Sequence, residues 1–186
     1  MPHIALLRGV NVGGHRVFRP AQLPAQLPEL GLVNIGAAGT FVVQKRVSRE
    51  RVRAAFAKAL PFATAIVICD ADEIRRLAAA DPLAEYAGQA DITRFVMVLG
   101  GAPDVEPILP VEFRAGRRWL IRVIGRTGPF ALGVYRRDPK TIGLLGRVDR
   151  LFDVPVTTRN WNTIGAIVKV LDATGGVPGP IDLEAT

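Results

Sequence analysis

The stretch SRERVRAAFAKALPFATAIVICD, residues 48–70, has the pattern of a helix followed by a strand. Ser48 is a good helix cap, and the helix it starts carries Val52 and Phe56 on one face. The run TAIVICD (64–70) is short, apolar and rich in β-branched residues, which is typical of a buried strand. The sequence therefore predicts a helix that packs by one face onto a sheet containing this strand.

The residues before this unit supply a strand, a weak helix and two further strands. HIALLR (3–8) is continuously apolar and bounded by glycine, as buried strands are. RPAQLPAQLPELG (19–31) has leucines at helical spacing, but its internal prolines predict a short, kinked or partly irregular helix. LVNIGA (32–37) and TFVVQK (40–45) are predicted strands. Together with 48–70, the order is β-α-β-β-α-β, the ferredoxin-like pattern.

The second half follows the same order in a degenerate form, with a proline-rich connection at 101–113 in place of a first helix. Strands are predicted over 93–100, 118–126, 128–136 and 153–158, and helices over 139–151 and 160–173. We therefore predict an α+β fold of two lobes joined near 81–91. The ferredoxin-like lobe occupies 1–81, the second α+β lobe 91–173, and a flexible tail 174–186.

Two further helix expectations can be stated by residue. Asp70 and Glu73 have the spacing of a capping box for a helix over 71–80, which accounts for this acidic pair without a functional role. In the helix over 139–151, the apolar residues expected to point inward are Ile142, Leu145 and Leu151.

Composition limits the class of protein. Apolar residues make up 49% of the 186 residues and charged residues 22%, which is typical of a globular chain. No apolar run approaches the roughly 18–20 residues of a membrane helix, and the N-terminus lacks a basic start followed by an apolar signal core. We therefore expect a cytoplasmic protein without a membrane partner.

Residues that commonly carry catalysis are scarce. His3 and His15 are the only histidines, and no His/Cys/Asp spacing indicates a metal site. Cys69, the single cysteine, ends a buried strand, while Ser48, the single serine, is expected to cap a helix. We predict no catalytic set, metal or cofactor, and the sequence leaves open whether the protein is an enzyme.

The positive charge is concentrated in one segment. Of the net charge of +7, residues 113–150 contribute ten basic and two acidic side chains, a net +8, and the rest of the chain sums to −1. Such a concentration raises the local potential and attracts anions. The alternative is an arginine-favouring composition on a face that is merely solvated.

The strand predicted over 118–126 lies in this segment and suggests a nucleic-acid interface. Side chains alternate along a strand, so one face carries Arg118, Leu120, Arg122, Ile124 and Arg126. The opposite face, expected to pack as core, carries Trp119, Ile121 and Val123. Tyr135 on the adjoining strand is the candidate for stacking on a base. The sequence therefore predicts weak binding of a single strand, driven by phosphate contacts.

Two polar turns are candidate anion sites. In LRGVNVGG (7–14), successive backbone N–H groups can form an anion-binding concavity, with Arg8 and Asn11 as added donors beside Gly13 and Gly14. The alternative is that the glycines only allow a close passage of the chain and that Arg8 forms an internal ion pair.

In TTRNWNT (157–163), a strand passes into the last helix. The predicted ligand-binding residues are Thr158, Arg159, Asn160 and Asn162. Hydroxyl groups, an arginine and free helix N–H groups together suit a phosphate or carboxylate. Trp161 is expected to anchor the core between the lobes.

We expect the two turns to converge into one cleft, because polar loops at strand ends commonly carry function. Three functions remain open from the residues alone. The first is non-enzymatic binding of a nucleotide or nucleic acid. The second is an enzyme that acts on a small phosphorylated or carboxylated substrate between the lobes. The third is a self-associating module, such as a homodimer formed through a sheet edge.

The two turns also carry a resemblance. ALLRGVNVGG near the N-terminus and VPVTTRNWNT near the C-terminus resemble the paired signature motifs of the bacterial family known as domain of unknown function 1697. The similarity runs from residue 3 to about 173. The family commonly has a Gln-Ser-Gly-Asn turn before its third strand, where this chain has GAAG (36–39). The resemblance implies a two-lobed α+β fold and no particular activity.

Overall fold

The computed structural model describes residues 2–11 and 18–174. In these residues the strands are β1 (His3–Leu7), β2 (Leu32–Ile35), β3 (Thr40–Val43), β4 (Ile66–Asp70), β5 (Ile92–Leu99), β6 (Val111–Ala115), β7 (Arg118–Thr127), β8 (Phe130–Arg136) and β9 (Val156–Asn160). The helices are α1 (Leu23–Gln26), α2 (Arg49–Ala59), α3 (Ala71–Ala80), α4 (Pro139–Val148) and α5 (Trp161–Thr174). The fold is α+β, as predicted.

The first lobe is a ferredoxin-like unit. Its strands form an antiparallel sheet in the order β2-β3-β1-β4, which is the order that the β-α-β-β-α-β pattern produces. The first helical segment is broken, because 3-10 turns at Pro20–Gln22 and Pro28–Leu30 flank the four-residue α1. The prolines in this segment explain why no longer helix forms.

The second lobe repeats this arrangement with one added strand. Its sheet has the order β6-β7-β8-β5-β9, in which β7, β8, β5 and β9 match the four positions of the first sheet. The connection after β5 contains no α-helix, as predicted, but its end forms the edge strand β6. Sequence inspection missed β6, because prolines at 103, 107 and 110 mask a strand of only five residues.

The two lobes share a central core. One face of the first sheet, including Leu6 and Val67, and one face of the second, including Val96 and Leu132, belong to a single buried cluster with α3 and α5. The opposite face of the first sheet is covered by α1 and α2, and that of the second by α4. Helices α3 and α5, each of which directly follows the last strand of its lobe, therefore lie together at the centre of the molecule.

The predicted caps of α2 and α3 are present, but the buried face of α4 differs from the predicted one. The Ser48 hydroxyl accepts from the Arg51 N–H at 3.2 Å, and the Glu73 carboxylate accepts from the Asp70 N–H at 2.9 Å within the predicted capping box. Ile142, expected to point inward from α4, is 75% exposed. The prediction was wrong because the buried residues of α4 are Thr141 and Val148, with Leu144 and Leu145 partly buried between them, and Ile142 lies to one side of this stripe.

Candidate ligand-binding cleft

The first glycine turn is held by an asparagine side chain. Both Gly9 and Asn11 have positive φ, 63° and 56°, so the chain turns sharply after β1. The Asn11 amide donates to the carbonyls of Phe18 and Ala37, at 3.0 and 2.8 Å, and its oxygen accepts from the Phe18 N–H at 2.9 Å. Asn11 therefore closes a loop, and these bonds occupy the donors that the sequence assigned to a ligand.

The other predicted ligand-binding residues of this turn are Gly13, Gly14 and Arg8. Gly13 and Gly14, predicted to contribute N–H groups, lie outside the described residues. Arg8 is half-buried, and it forms no ion pair within residues 2–11 and 18–174. The internal ion pair considered from the sequence is therefore not found in this part of the chain.

The second turn is a direct passage from β9 into α5. The Asn160 side chain accepts from the backbone N–H and the hydroxyl of Thr163, both at 2.9 Å, which is the geometry of a helix cap. Trp161 is half-buried against the central core, with the Arg94 guanidinium 5.2 Å from its ring. Asn162 is exposed at the helix start.

Arg159 is buried between the lobes, with only 7% of its surface exposed. All three guanidinium nitrogens donate to oxygens of the protein at 2.7–3.3 Å. The acceptors are the hydroxyls of Thr40 and Thr157 and the carbonyls of Leu7, Ala38, Gly39 and Thr158. Arg159 therefore fastens β9 to the first lobe and has its donors engaged there.

None of these six acceptors is a carboxylate, so the positive charge of Arg159 is not neutralised by its hydrogen-bond partners. Burial lowers the pKa of the guanidinium to about 10, which still leaves it charged at neutral pH. A buried cation surrounded by neutral dipoles projects a positive potential into any adjoining cavity.

The two turns line one cavity, which we call the junction cleft. It has a volume of about 430 Å³ and lies where β1, β8, α4, β9 and α5 approach each other. Its polar and charged lining residues are Arg8, Tyr135, Asp149, Thr157, Thr158, Arg159, Asn160 and Thr163. Tyr135 and Asn160 also line a second, more polar cavity of about 450 Å³ that contains Asn162 and Arg137. The start of α5 therefore separates two adjoining cavities.

Asp149 is a cleft residue that the sequence analysis missed. It lies one residue after the end of α4, and its Oδ1 accepts from the Thr158 hydroxyl at 3.3 Å. Burial raises the pKa of the Asp149 carboxyl above its ordinary value, although the charge of Arg8 and the bond from Thr158 act in the opposite direction. No spacing in the sequence links Asp149 to the glycine turn, because the two meet only through the packing of the lobes.

The predicted arginine face of β7 is occupied by ion pairs. The Arg122 guanidinium donates to the Glu112 carboxylate at 2.6 and 2.9 Å, and that of Arg126 to the Glu106 carboxylate at 2.5 and 3.1 Å. Arg118 lies 3.9 Å from each of two carboxylates, those of Asp91 and Asp138. Three of these four acids, Asp91, Glu106 and Glu112, lie outside residues 113–150, so the net charge of that segment overestimates the free charge of this face.

The alternation predicted for β7 also fails at two places. Pairing with β6 skips Leu120, and pairing with β8 skips Ile124, so a bulge shifts the side-chain period each time. Leu120 is therefore buried with Ile121 and Val123 in the core beneath α4. Trp119, predicted to share that core, lies instead on the arginine side. Its ring is 4.6 and 4.2 Å from the guanidinium carbons of Arg122 and Arg136.

The remaining chemistry is limited. Within the described ranges, no group of three or more His, Cys, Asp and Glu side chains could hold a metal. Burial raises the pKa of the Cys69 thiol, so this cysteine is a poor nucleophile. None of the helices in the described part of the chain has the length and apolar character needed to cross a membrane.

Comparison with known proteins gives a structural relative. The structure of the conserved bacterial protein SP0830 from Streptococcus pneumoniae is similar to this chain, with a TM-score of 0.58 and 17% sequence identity. The similarity covers 91% of this chain and 98% of that protein. At this identity it supports the fold alone. No protein of curated function is similar enough in sequence to be matched to this chain.

A family match agrees with the motif resemblance noted above. The sequence profile described as protein of unknown function (DUF1697) matches residues 1–126, which include the first turn, the whole first lobe and the strands up to most of β7. Because the match covers well over half of the chain, the protein belongs to the DUF1697 family.

Proposed function

We propose that this protein binds a small anionic ligand, bearing a phosphate or carboxylate group, in the junction cleft. The observation that carries this proposal is the buried Arg159, whose charge has only neutral hydrogen-bond partners and lies in the wall of the cavity. Arg8 lines the same cavity without an ion pair in the described residues. The two cations outnumber Asp149, the single acid that the described residues contribute to the lining.

The arrangement separates two roles. Arg159 contributes a fixed positive potential, since its donors are engaged by the protein. Arg8 is the cation whose side chain can meet the ligand directly, and Asn160 and Thr163, at the start of α5 with its positive dipole end, line the same cavity. A cavity of about 430 Å³ falls in the range of small-molecule sites.

The ion pairs of β7 favour a small ligand over a nucleic-acid strand. To bind a phosphate backbone, Arg122 and Arg126 would have to leave Glu112 and Glu106, to which each donates two hydrogen bonds. The junction cleft requires no such exchange.

The test is thermal unfolding with inorganic phosphate and pyrophosphate, compared with chloride at equal ionic strength. Ligand at about 100 times its Kd stabilises a protein by about 2.7 kcal/mol, a rise in Tm of several degrees for a chain of this size. We expect this rise in the wild type and in Arg46→Ala, which removes an exposed arginine outside the cleft. Arg8→Ala should abolish it. An equal rise in Arg8→Ala, or none in the wild type, would refute the proposal.

A further inference from the structure

Asp149 is the feature of the junction cleft that simple anion binding does not explain. A carboxylate beside the ligand position repels a phosphate, and it offsets part of the attraction from Arg8 and Arg159. Its position is unfavourable in the free protein as well. The Asp149 N–H donates to the Leu145 carbonyl at the end of α4, and a negative charge at a helix C-terminus is destabilising.

The hydrogen bonds of Asp149 leave one oxygen for a ligand. Its Oδ1 accepts from Thr158, whereas its Oδ2 has no hydrogen-bond partner among the described residues. An ionised carboxylate only accepts hydrogen bonds, so a ligand group next to Oδ2 must be a donor. The ligand that fits is one whose anionic group is accompanied by hydroxyl groups.

The lining of the junction cleft also includes an apolar surface beside Asp149 and Thr158. The rings of Tyr135 and Phe95 are 6.0 Å apart between centroids, and Tyr135 is the half-exposed member that faces both cavities. Leu145 and Val148 from α4 line the cleft near Asp149. A flat aromatic group can pack against such a wall.

Building on the proposed anion site, we infer that the ligand is a ribonucleoside monophosphate, with Asp149 as the residue that recognises its ribose. The phosphate faces Arg8 and the start of α5, the ribose hydroxyls donate to Asp149, and the base packs against Tyr135 and Leu145. Carboxylates recognise ribose hydroxyls in this way in dinucleotide-binding folds. The raised pKa of Asp149 fits a group whose charge lacks a full set of donors until a ligand supplies them.

The test is calorimetric titration with adenosine and uridine 5′-monophosphates, their 2′,3′-dideoxy forms, ribose 5-phosphate and inorganic phosphate. We expect the wild type to prefer at least one ribonucleotide over its dideoxy form by about tenfold or more, the size of a hydrogen bond to a charged group. Asp149→Ala should remove this preference while retaining phosphate binding, and Tyr135→Leu should weaken nucleotides and leave ribose 5-phosphate unchanged. Asp104→Asn, an exposed acid outside the cleft, is the control.

The outcomes separate this inference from the proposed function. If phosphate binds as tightly as every nucleotide, or ribo and dideoxy forms bind equally, the anion site stands and the ribose inference is wrong. If no phosphate compound binds, both fail. Phosphate binding by Asp149→Ala also shows that this variant is folded. If that variant does not fold, Asp149→Asn replaces it. That substitution retains the shape of the side chain and removes one hydrogen-bond acceptor, so the preference for ribonucleotides should fall. An undiminished preference would overturn the inference.

Discussion

The guanidinium of Arg159, at the end of β9, donates to the hydroxyl of Thr40, at the start of β3, at 2.7 Å across the boundary of the two lobes. The same side chain reaches the carbonyls of Leu7 and Ala38 in the first lobe. Ala38 neighbours Ala37, whose carbonyl accepts from Asn11. Both sequence signatures therefore converge on one hairpin turn between β2 and β3, and the junction cleft is built beside it.

Arg159→Lys should destabilise the protein by about 2 kcal/mol or more, because an ammonium group cannot reproduce the spread of a guanidinium and leaves buried oxygens without donors. The expected fall in Tm is about 4–8 °C, measured by thermal unfolding. Arg117→Lys, at an exposed arginine, is the matched control and should leave Tm unchanged. A tolerated Arg159→Lys would show that these bonds do not hold the lobes together.

Gly133→Ala should cost about 3 kcal/mol of stability. A Cβ added to Gly133 in β8 would lie 2.4 Å from the Phe95 ring and 2.6 Å from the Arg122 carbonyl, and neither can move freely inside a sheet. Gly143→Ala is the control, since its Cβ meets nothing within 4 Å and alanine favours the helix α4 by up to about 1 kcal/mol. Chemical denaturation should therefore show that Gly133→Ala lowers the free energy of unfolding and that Gly143→Ala raises it. Equal effects would contradict the packing seen around Gly133.

Periodicity and order were sufficient to predict most of the fold. The run from His3 to Asp70 contains each element of a ferredoxin-like lobe in sequence, and strand order then follows from the right-handed connections of such units. Edge strand β6 was hidden by the prolines before it, and the two bulges of β7 were not predictable because they depend on the alignment of its partner strands. The bulge at Leu120 places Trp119 on the face opposite Ile121, which no count of alternating residues reveals.

The location of the candidate site was predictable from the sequence, but the roles of its individual side chains were less so. Glycine and polar residues at strand ends marked both turns, and these turns do line one cavity. The sequence could not show that Arg159 points into the lobe interface, since a side chain's direction there depends on the packing of Thr40 and Leu7. Asp149 carried no local signal and joins the site only through the position of α4.

Replacing Arg118, Arg122 and Arg126 together by alanine should not change the affinity for a short labelled single strand of DNA. Their charges are balanced by nearby carboxylates, so few phosphates can be neutralised at this face. Were about four arginines engaged, log affinity would fall with log salt at a slope of about −3. Fluorescence anisotropy across salt concentrations measures this slope. A steep slope that the triple variant loses would restore the nucleic-acid interpretation.

Asp70→Asn should lower stability at neutral pH and have no effect in acid. Burial acts to raise the pKa of Asp70, but the hydrogen bonds and charges of Arg49 and His3, at 2.8 and 2.9 Å, outweigh it, and the net pKa is lowered from 3.8. A lowered folded-state pKa contributes stability above 3.8 that is lost as pH falls through the folded value. Asparagine retains the cap of α3.

Melting curves from pH 7 to pH 2 should show the Tm of Asp70→Asn converge with that of the wild type, while the control Asp104→Asn follows the wild type throughout. A deficit that persists at pH 2 would mean that the loss is not electrostatic.

Asp149→Asn should have the opposite effect and stabilise the free protein at neutral pH. Burial raises the pKa of Asp149 above 3.8, so the folded state disfavours its charge, and the end of α4 adds a penalty of about 0.3–1 kcal/mol. The gain is absent below pH 3.8, where the carboxyl is protonated in both states, and it grows as pH rises through the folded pKa. The amide still accepts from Thr158, so packing is retained.

Thermal unfolding of Asp149→Asn at pH 3 and pH 7, without ligand and then with adenosine 5′-monophosphate, checks both the stability argument and the binding argument. A variant that is more stable when empty and gains less from the nucleotide would show that Asp149 is kept at the expense of stability because it binds a ligand. A variant that is less stable at pH 7 would show that the carboxylate is structural, and the case for ribose recognition would lose its main support.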